Sequence, residues 1–160
     1  MATITINETD YNSYATVEEA NKYFNAKFGS SWADILQEDK QKLLVTATRE
    51  MEKVAYKGIK ENLEQDLEFP RIFCCVTLNP EKELAMCCAE IANAIYNLNT
   101  SSDNISTPNA ENIKSMSVGD TSITYKDGAN IETDAFTSVA KPFIKKFLGK
   151  FLTGNIRIIL

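Results

Sequence analysis

Val17, Ala20, Phe24 and Phe28 recur at the three- and four-residue spacing of one helical face. The preceding "TVEE" (16–19) is a capping box, and Gly29 is the stop signal, so a first helix is expected between them. Trp32 falls in a short connection. A second helix is predicted from about Glu38 to Tyr56, with Leu44, Ala47, Met51, Val54 and Ala55 inward and Gly58 as its stop. Asn79-Pro80 reads as cap and first turn of a third helix, whose stripe is Leu84, Cys88, Ile91, Ala92, Ile95 and Leu98. A polar stretch, 99–112, has no apolar period and reads as a long mobile loop. Alternation around Gly119-Asp120 signals a β-hairpin over about 113–127. A last helix begins near Thr133 or Asp134, is kinked or divided at Pro142, and gives way at Gly154 to the tail 154–160.

The pattern predicts a mainly α fold: a bundle of about four helices (15–98 and 134–153) with an inserted β-hairpin and an extended C-terminal tail, all in one domain. Between the second and third helices stands "QDLEFPR" (65–71). Pro70 fixes its own φ and moves Phe69 out of the α region, so the segment is expected to be extended, with Phe69 dropped into the core.

Charge changes the picture. Residues 1–133 hold 12 Lys/Arg against 21 Asp/Glu, whereas 134–160 hold 5 against 1. The body is acidic and the last helix, with Lys141, Lys145, Lys146 and Lys150 opposite its Phe residues, is basic and amphipathic. A binder of single-stranded DNA needs cations interleaved with stacking aromatics. In the last helix the two types lie on opposite faces, so no specific affinity for single-stranded DNA is expected. Histidine is absent, which removes the usual general base near neutral pH, and no carboxylate pair reads as acid and base. No enzyme and no cofactor are expected. The cysteines form two adjacent pairs, 74–75 and 87–88, without zinc spacing, and are read as buried reduced thiols. The first residues carry neither a basic nor an apolar leader segment, and no run approaches the roughly 18 apolar residues of a membrane span, so a cytoplasmic product is expected.

In order, "YATVEEANKYF", Trp32, "LLVTATREMEKVAYKG", "QDLEFPR" and "SMSVGDTSITY" resemble a family of small tailed-bacteriophage proteins. Its members act as head-to-tail connectors (adaptor, or head-completion, proteins), and the same family is often labelled putative DnaT-like single-stranded-DNA-binding protein. Ala47-Thr48, Gly58 and the Gln65-to-Arg71 string are the most specific parts. The resemblance implies a virion protein at the head–tail interface, made in the host cytoplasm. It implies a dodecameric ring beneath the portal, meeting the portal protein and a tail-side connector or terminator. Duplex DNA would pass through without specific binding, and no membrane is involved. The alternative is the single-stranded-DNA-binding accessory protein.

Candidate partner-binding residues follow. Arg71 would face either a neighbouring subunit or its own acidic neighbours. Met116, Val118, Ile123 and Tyr125 belong to a hairpin expected to be a contact element. Ile156, Arg157, Ile158, Ile159 and Leu160 form an apolar tail that either docks as a strand or folds back on its own bundle.

Overall fold

The computed structural model of the protein describes residues 2–101, 115–118, 121–124 and 131–153. The chain opens with strands β1 (Ala2–Ile6) and β2 (Thr9–Ser13), antiparallel, joined at Asn7-Glu8, both with left-handed φ (48° and 64°). The alternation "ATITI" buries Ile4 and half-buries Ile6. Helix α1 (Val17–Asn25) follows the expected capping box: the Glu19 N–H donates to Thr16 Oγ1 (3.1 Å) and the Thr16 N–H to Glu19 Oε2 (2.8 Å). A 3-10 turn (Trp32–Asp34) leads to α2 (Gln37–Glu52). Strands β3 (Ile59–Lys60), β4 (Arg71–Phe73) and β5 (Val76–Leu78) form an antiparallel sheet in that order. Helix α3 (Glu81–Ser101) is central and packs on α1, α2 and α4 (Ile131–Leu148). Between α3 and α4, β6 (Ser115–Val118) pairs with β7 (Thr121–Thr124).

The expected mainly α bundle is therefore corrected to a mixed α/β fold. Four helices carry the core, but three small antiparallel sheets accompany them among the described residues. Two of these sheets lie where no strand was expected. β1–β2 is short and half exposed, and the 59–78 connection folds into a meander instead of one extended segment. Element ends also shift. α1 stops at Asn25, α2 at Glu52, and α3 runs three residues into the expected loop, of which 102–112 lie outside the described residues. α4 continues through Pro142 and is followed by a 3-10 turn (Gly149–Phe151) that stops short of Gly154.

"QDLEFPR" is where the helices and the meander are tied together. Phe69, 1% exposed, precedes Pro70 through a cis peptide and lies between the rings of Tyr14, Tyr56 and Phe151. Gln65 Nε2 donates to the carbonyls of Leu67 (2.7 Å) and Pro70 (3.0 Å), closing the loop on itself. Gly58 is required here by space as well as by its φ of +78°, because a Cβ would lie 2.1 Å from the Ile72 carbonyl oxygen. The last turn of the chain's core docks alongside, with the Lys57 N–H donating to the Phe151 carbonyl (2.8 Å).

Glu52 reaches the same string from α2. It accepts from the Tyr14 hydroxyl (2.5 Å) and the Glu68 N–H (3.0 Å). Burial nonetheless raises its pKa above the ordinary carboxylate value, outweighing those two donors. A raised folded-state pKa means that the associated stability is complete below the unfolded value and is lost as pH rises through the folded one. Glu52→Gln cannot ionise. Its melting temperature should therefore fall less than the wild type's as pH rises above the ordinary glutamate value of 4.5. Identical pH profiles for the two proteins would remove Glu52 as the titrating group.

Candidate nucleic-acid interface

Phe28 was expected on the buried stripe of the first helix, four residues after Phe24. Instead α1 ends at Asn25, and Phe24 stacks on Trp32 (5.1 Å, 26°), which fills the inward position. The indole is fixed in turn by donating to Asn21 Oδ1 (2.9 Å). Beyond the helix the chain turns at Gly29, in the left-handed region, and the Phe28 ring stands 104% exposed. An exposed aromatic ring beside lysines can serve as a stacking platform for an unpaired base.

A groove of about 870 Å³ runs between the end of α1 and the first half of α3. Lys22, Lys27 and Phe28 line it from α1 and the residues after it, Lys82 and Met86 from α3, and Lys146 from α4. Tyr23 and Glu90 line it as well. Glu90 is 4% exposed and accepts from the Tyr23 hydroxyl (2.6 Å) and from Lys27 Nζ (2.5 and 2.6 Å). Burial, followed by the hydrogen bond to Glu90, pushes the Tyr23 phenol up to about 12, so it stays a neutral donor at physiological pH.

The groove's three carboxylates are each engaged by the protein. Glu19 serves the α1 cap, Glu81 accepts from Asn79 Nδ2 (3.0 Å), and Glu90 holds Tyr23 and Lys27. Lys22, Lys82 and Lys146 are exposed and form no ion pair among the described residues. With Lys22, Lys27, Lys82 and Lys146 against Glu19, Glu81 and Glu90, the lining carries a net charge of +1 on an acidic body. Three ammonium groups can meet phosphates while Phe28 offers a face to an unstacked base. A smaller cavity of about 170 Å³, between the start of β1, Tyr14 and Asn79, has no cation in its lining.

Arg71, singled out from sequence, does not line this groove. Arg71 is 7% exposed, and its donors are directed into its own chain. Nε donates to the Lys57 carbonyl (2.9 Å), Nη2 to those of Gly58 (2.5 Å) and Tyr56 (3.3 Å), and Nη1 to the Glu68 carboxylate. That is the within-chain alternative, and it leaves no donor facing a neighbouring subunit. Met116 stands opposite Ile123, and Val118 opposite Thr121, in the β6–β7 ladder. Residues 119–120, Tyr125 and the tail Ile156, Arg157, Ile158, Ile159 and Leu160 lie outside the described residues.

Of the basic terminal helix only Lys146 reaches the groove, while Lys150 pairs with Glu83 (3.4 Å). The cations and aromatics of "KYFNAKF" (22–28) were the missed signal. There Lys22 and Lys27 are interleaved with Tyr23 and Phe28, the combination sought only in the last helix. The cysteine reading holds for Cys87 and Cys88, which are buried, and is corrected for Cys74 and Cys75, which are exposed on the β4–β5 turn.

A family model described as "Putative DnaT-like ssDNA binding protein" matches residues 3–159. No curated protein and no solved structure matches the chain. The matched description agrees with the single-stranded-DNA alternative of the resemblance and gives no support to its connector role. It also runs against the expectation that the protein has no specific affinity for single-stranded DNA.

Proposed function

Since the chain belongs to the family described as putative DnaT-like ssDNA-binding proteins, we propose that it binds single-stranded DNA and that the strand lies in the α1–α3 groove. The observation that carries this reading is the fully exposed Phe28 ring in a groove that Lys22, Lys82 and Lys146 also line. Phosphates take the ammonium groups, releasing counterions, and one base stacks on Phe28. Duplex DNA keeps its bases stacked internally and cannot use the ring, so the site prefers single strands. Lys27 is held by Glu90 until a phosphate competes for it, which keeps the groove ordered when empty.

Fluorescence anisotropy with a labelled oligothymidylate tests the proposal. Phe28→Ala should weaken binding about tenfold, in line with roughly 1–3 kcal/mol per stacked base. Replacing Lys22, Lys82 and Lys146 together by Ala should flatten the slope of log K against log salt by about 2, since each phosphate contact contributes about 0.7 on single strands. Binding that ignores both changes would place the strand elsewhere.

A second reading, the head-to-tail connector, rests on the acidic body and on a group of exposed apolar side chains around the meander. Ile59 (67%), Leu63 (89%) and Val76 (58%) are the largest of these. Sedimentation velocity separates the two readings, since a connector assembles into a discrete ring and the groove reading requires only the single chain.

A further inference from the structure

The two cysteine pairs have opposite environments. Cys87 and Cys88 are buried residues of α3, and burial raises both thiols, Cys88 to about 11. Cys88 Sγ also donates to the Leu44 carbonyl (3.4 Å). They are inert at neutral pH. Cys74 and Cys75 are both exposed and fill the two-residue turn between β4 and β5, where Phe73 pairs with Val76. Both adopt left-handed φ (49° and 62°), the conformation of a type I′ turn, which ordinarily selects Asn-Gly.

Adjacent Cα atoms across a trans peptide are about 3.8 Å apart, below the roughly 4.4–6.8 Å of ordinary disulfides. The pair is thus too close to close on itself without distortion. Both thiols are instead free and exposed on adjacent residues of one two-residue turn. The base of the turn is firm, because Arg71 at the start of β4 is bonded to the carbonyls of Tyr56, Lys57 and Gly58. Phe73 and Val76, partly exposed on either side, give the thiols an apolar flank.

We propose that Cys74 and Cys75 form a chelating dithiol for a soft thiophilic centre, either trivalent arsenic or Cu(I). With an arsenoxide, R–As=O, two S–H bonds and the As=O bond break. Two S–As bonds form and one water leaves, with no change of oxidation state. With Cu(I), the two thiols release their protons as two S–Cu bonds form. This site is separate from the α1–α3 groove, and its test does not depend on DNA binding.

Native protein should show two reactive thiols of its four with dithionitrobenzoate. One equivalent of phenylarsine oxide should block both and add one phenylarsenic group to the mass. Cys74→Ser and Cys75→Ser should each weaken arsenical binding about 100-fold, the order gained when a second bond becomes intramolecular. The double change Cys74→Asn with Cys75→Gly gives the turn its preferred residues, so it should melt no lower than wild type while losing the site. A parallel Cu(I) titration against bicinchoninate assigns the centre: competition there supports a metal-ion site, and binding of the arsenical alone a metalloid site. Single-serine variants that bind the arsenical as tightly as wild type, or a wild type left with one reactive thiol after treatment, would overturn the proposal.

Discussion

Phe69→Ala should destabilise the protein by about 3–5 kcal/mol, the cost of removing a fully buried aromatic ring and leaving the space unfilled. The side chain is 1% exposed, and its ring meets Tyr56 at 4.8 Å, Phe151 at 6.0 Å and Tyr14 at 6.4 Å, all edge-on. Those neighbours come from β2's end, the segment after α2 and the end of the core, so the cavity would open where three parts of the chain meet. They cannot all collapse into it, because the Tyr14 hydroxyl is bound to Glu52 and the Tyr56 hydroxyl to the Met51 carbonyl (2.9 Å). For a chain of this length the melting temperature should drop by roughly 6–20 °C. Phe69→Leu should cost less than half as much, since most of the buried volume is kept. Thermal unfolding of the three proteins checks this, and a Phe69→Ala protein within about 1 kcal/mol of wild type would contradict the packing.

Arg71→Lys should cost about 2–4 kcal/mol, although it conserves charge. Arg71 serves three successive backbone carbonyls and a carboxylate from one planar fork, and a lysine ammonium has three donors radiating from one point. Part of the Tyr56–Gly58 turn would be left without donors, and the meander would lose its hold on the end of α2. The loss should be the same at every protein concentration. A variant with unchanged melting behaviour but impaired self-association would instead mean that Arg71 serves a neighbouring subunit.

Long, periodic segments were legible in sequence, and short or interrupted ones were not. Leu44, Ala47, Met51, Leu84, Cys88 and Ile91 are buried as their spacing required. Phe69 was placed in the core correctly because Pro70 restricts the residue before it. The β3–β4–β5 meander escaped because its strands are two or three residues long, too short for alternation to register. Asn7-Glu8 and Cys74-Cys75 occupy left-handed turns without glycine, so the usual hairpin signal was missing at both. Phe28 was misplaced for a different reason. The period continues through it, but the helix ends three residues earlier, once Phe24 and Trp32 have filled the inward position. The same misplacement hid the candidate site, since the exposed ring beside the lysines is what marks the groove as a candidate.

The most direct test of that groove is photochemical. Oligothymidylate carrying 5-iodouracil cross-links on irradiation to an aromatic side chain stacked against the base. Digestion and mass spectrometry then locate the attachment. The groove reading predicts that the dominant cross-linked peptide contains Phe28, with Tyr23 as the secondary site. It also predicts that duplex of the same sequence gives almost none. Cross-links confined to the β3–β5 meander or to the segment after Thr153, with Phe28 unmodified, would contradict it.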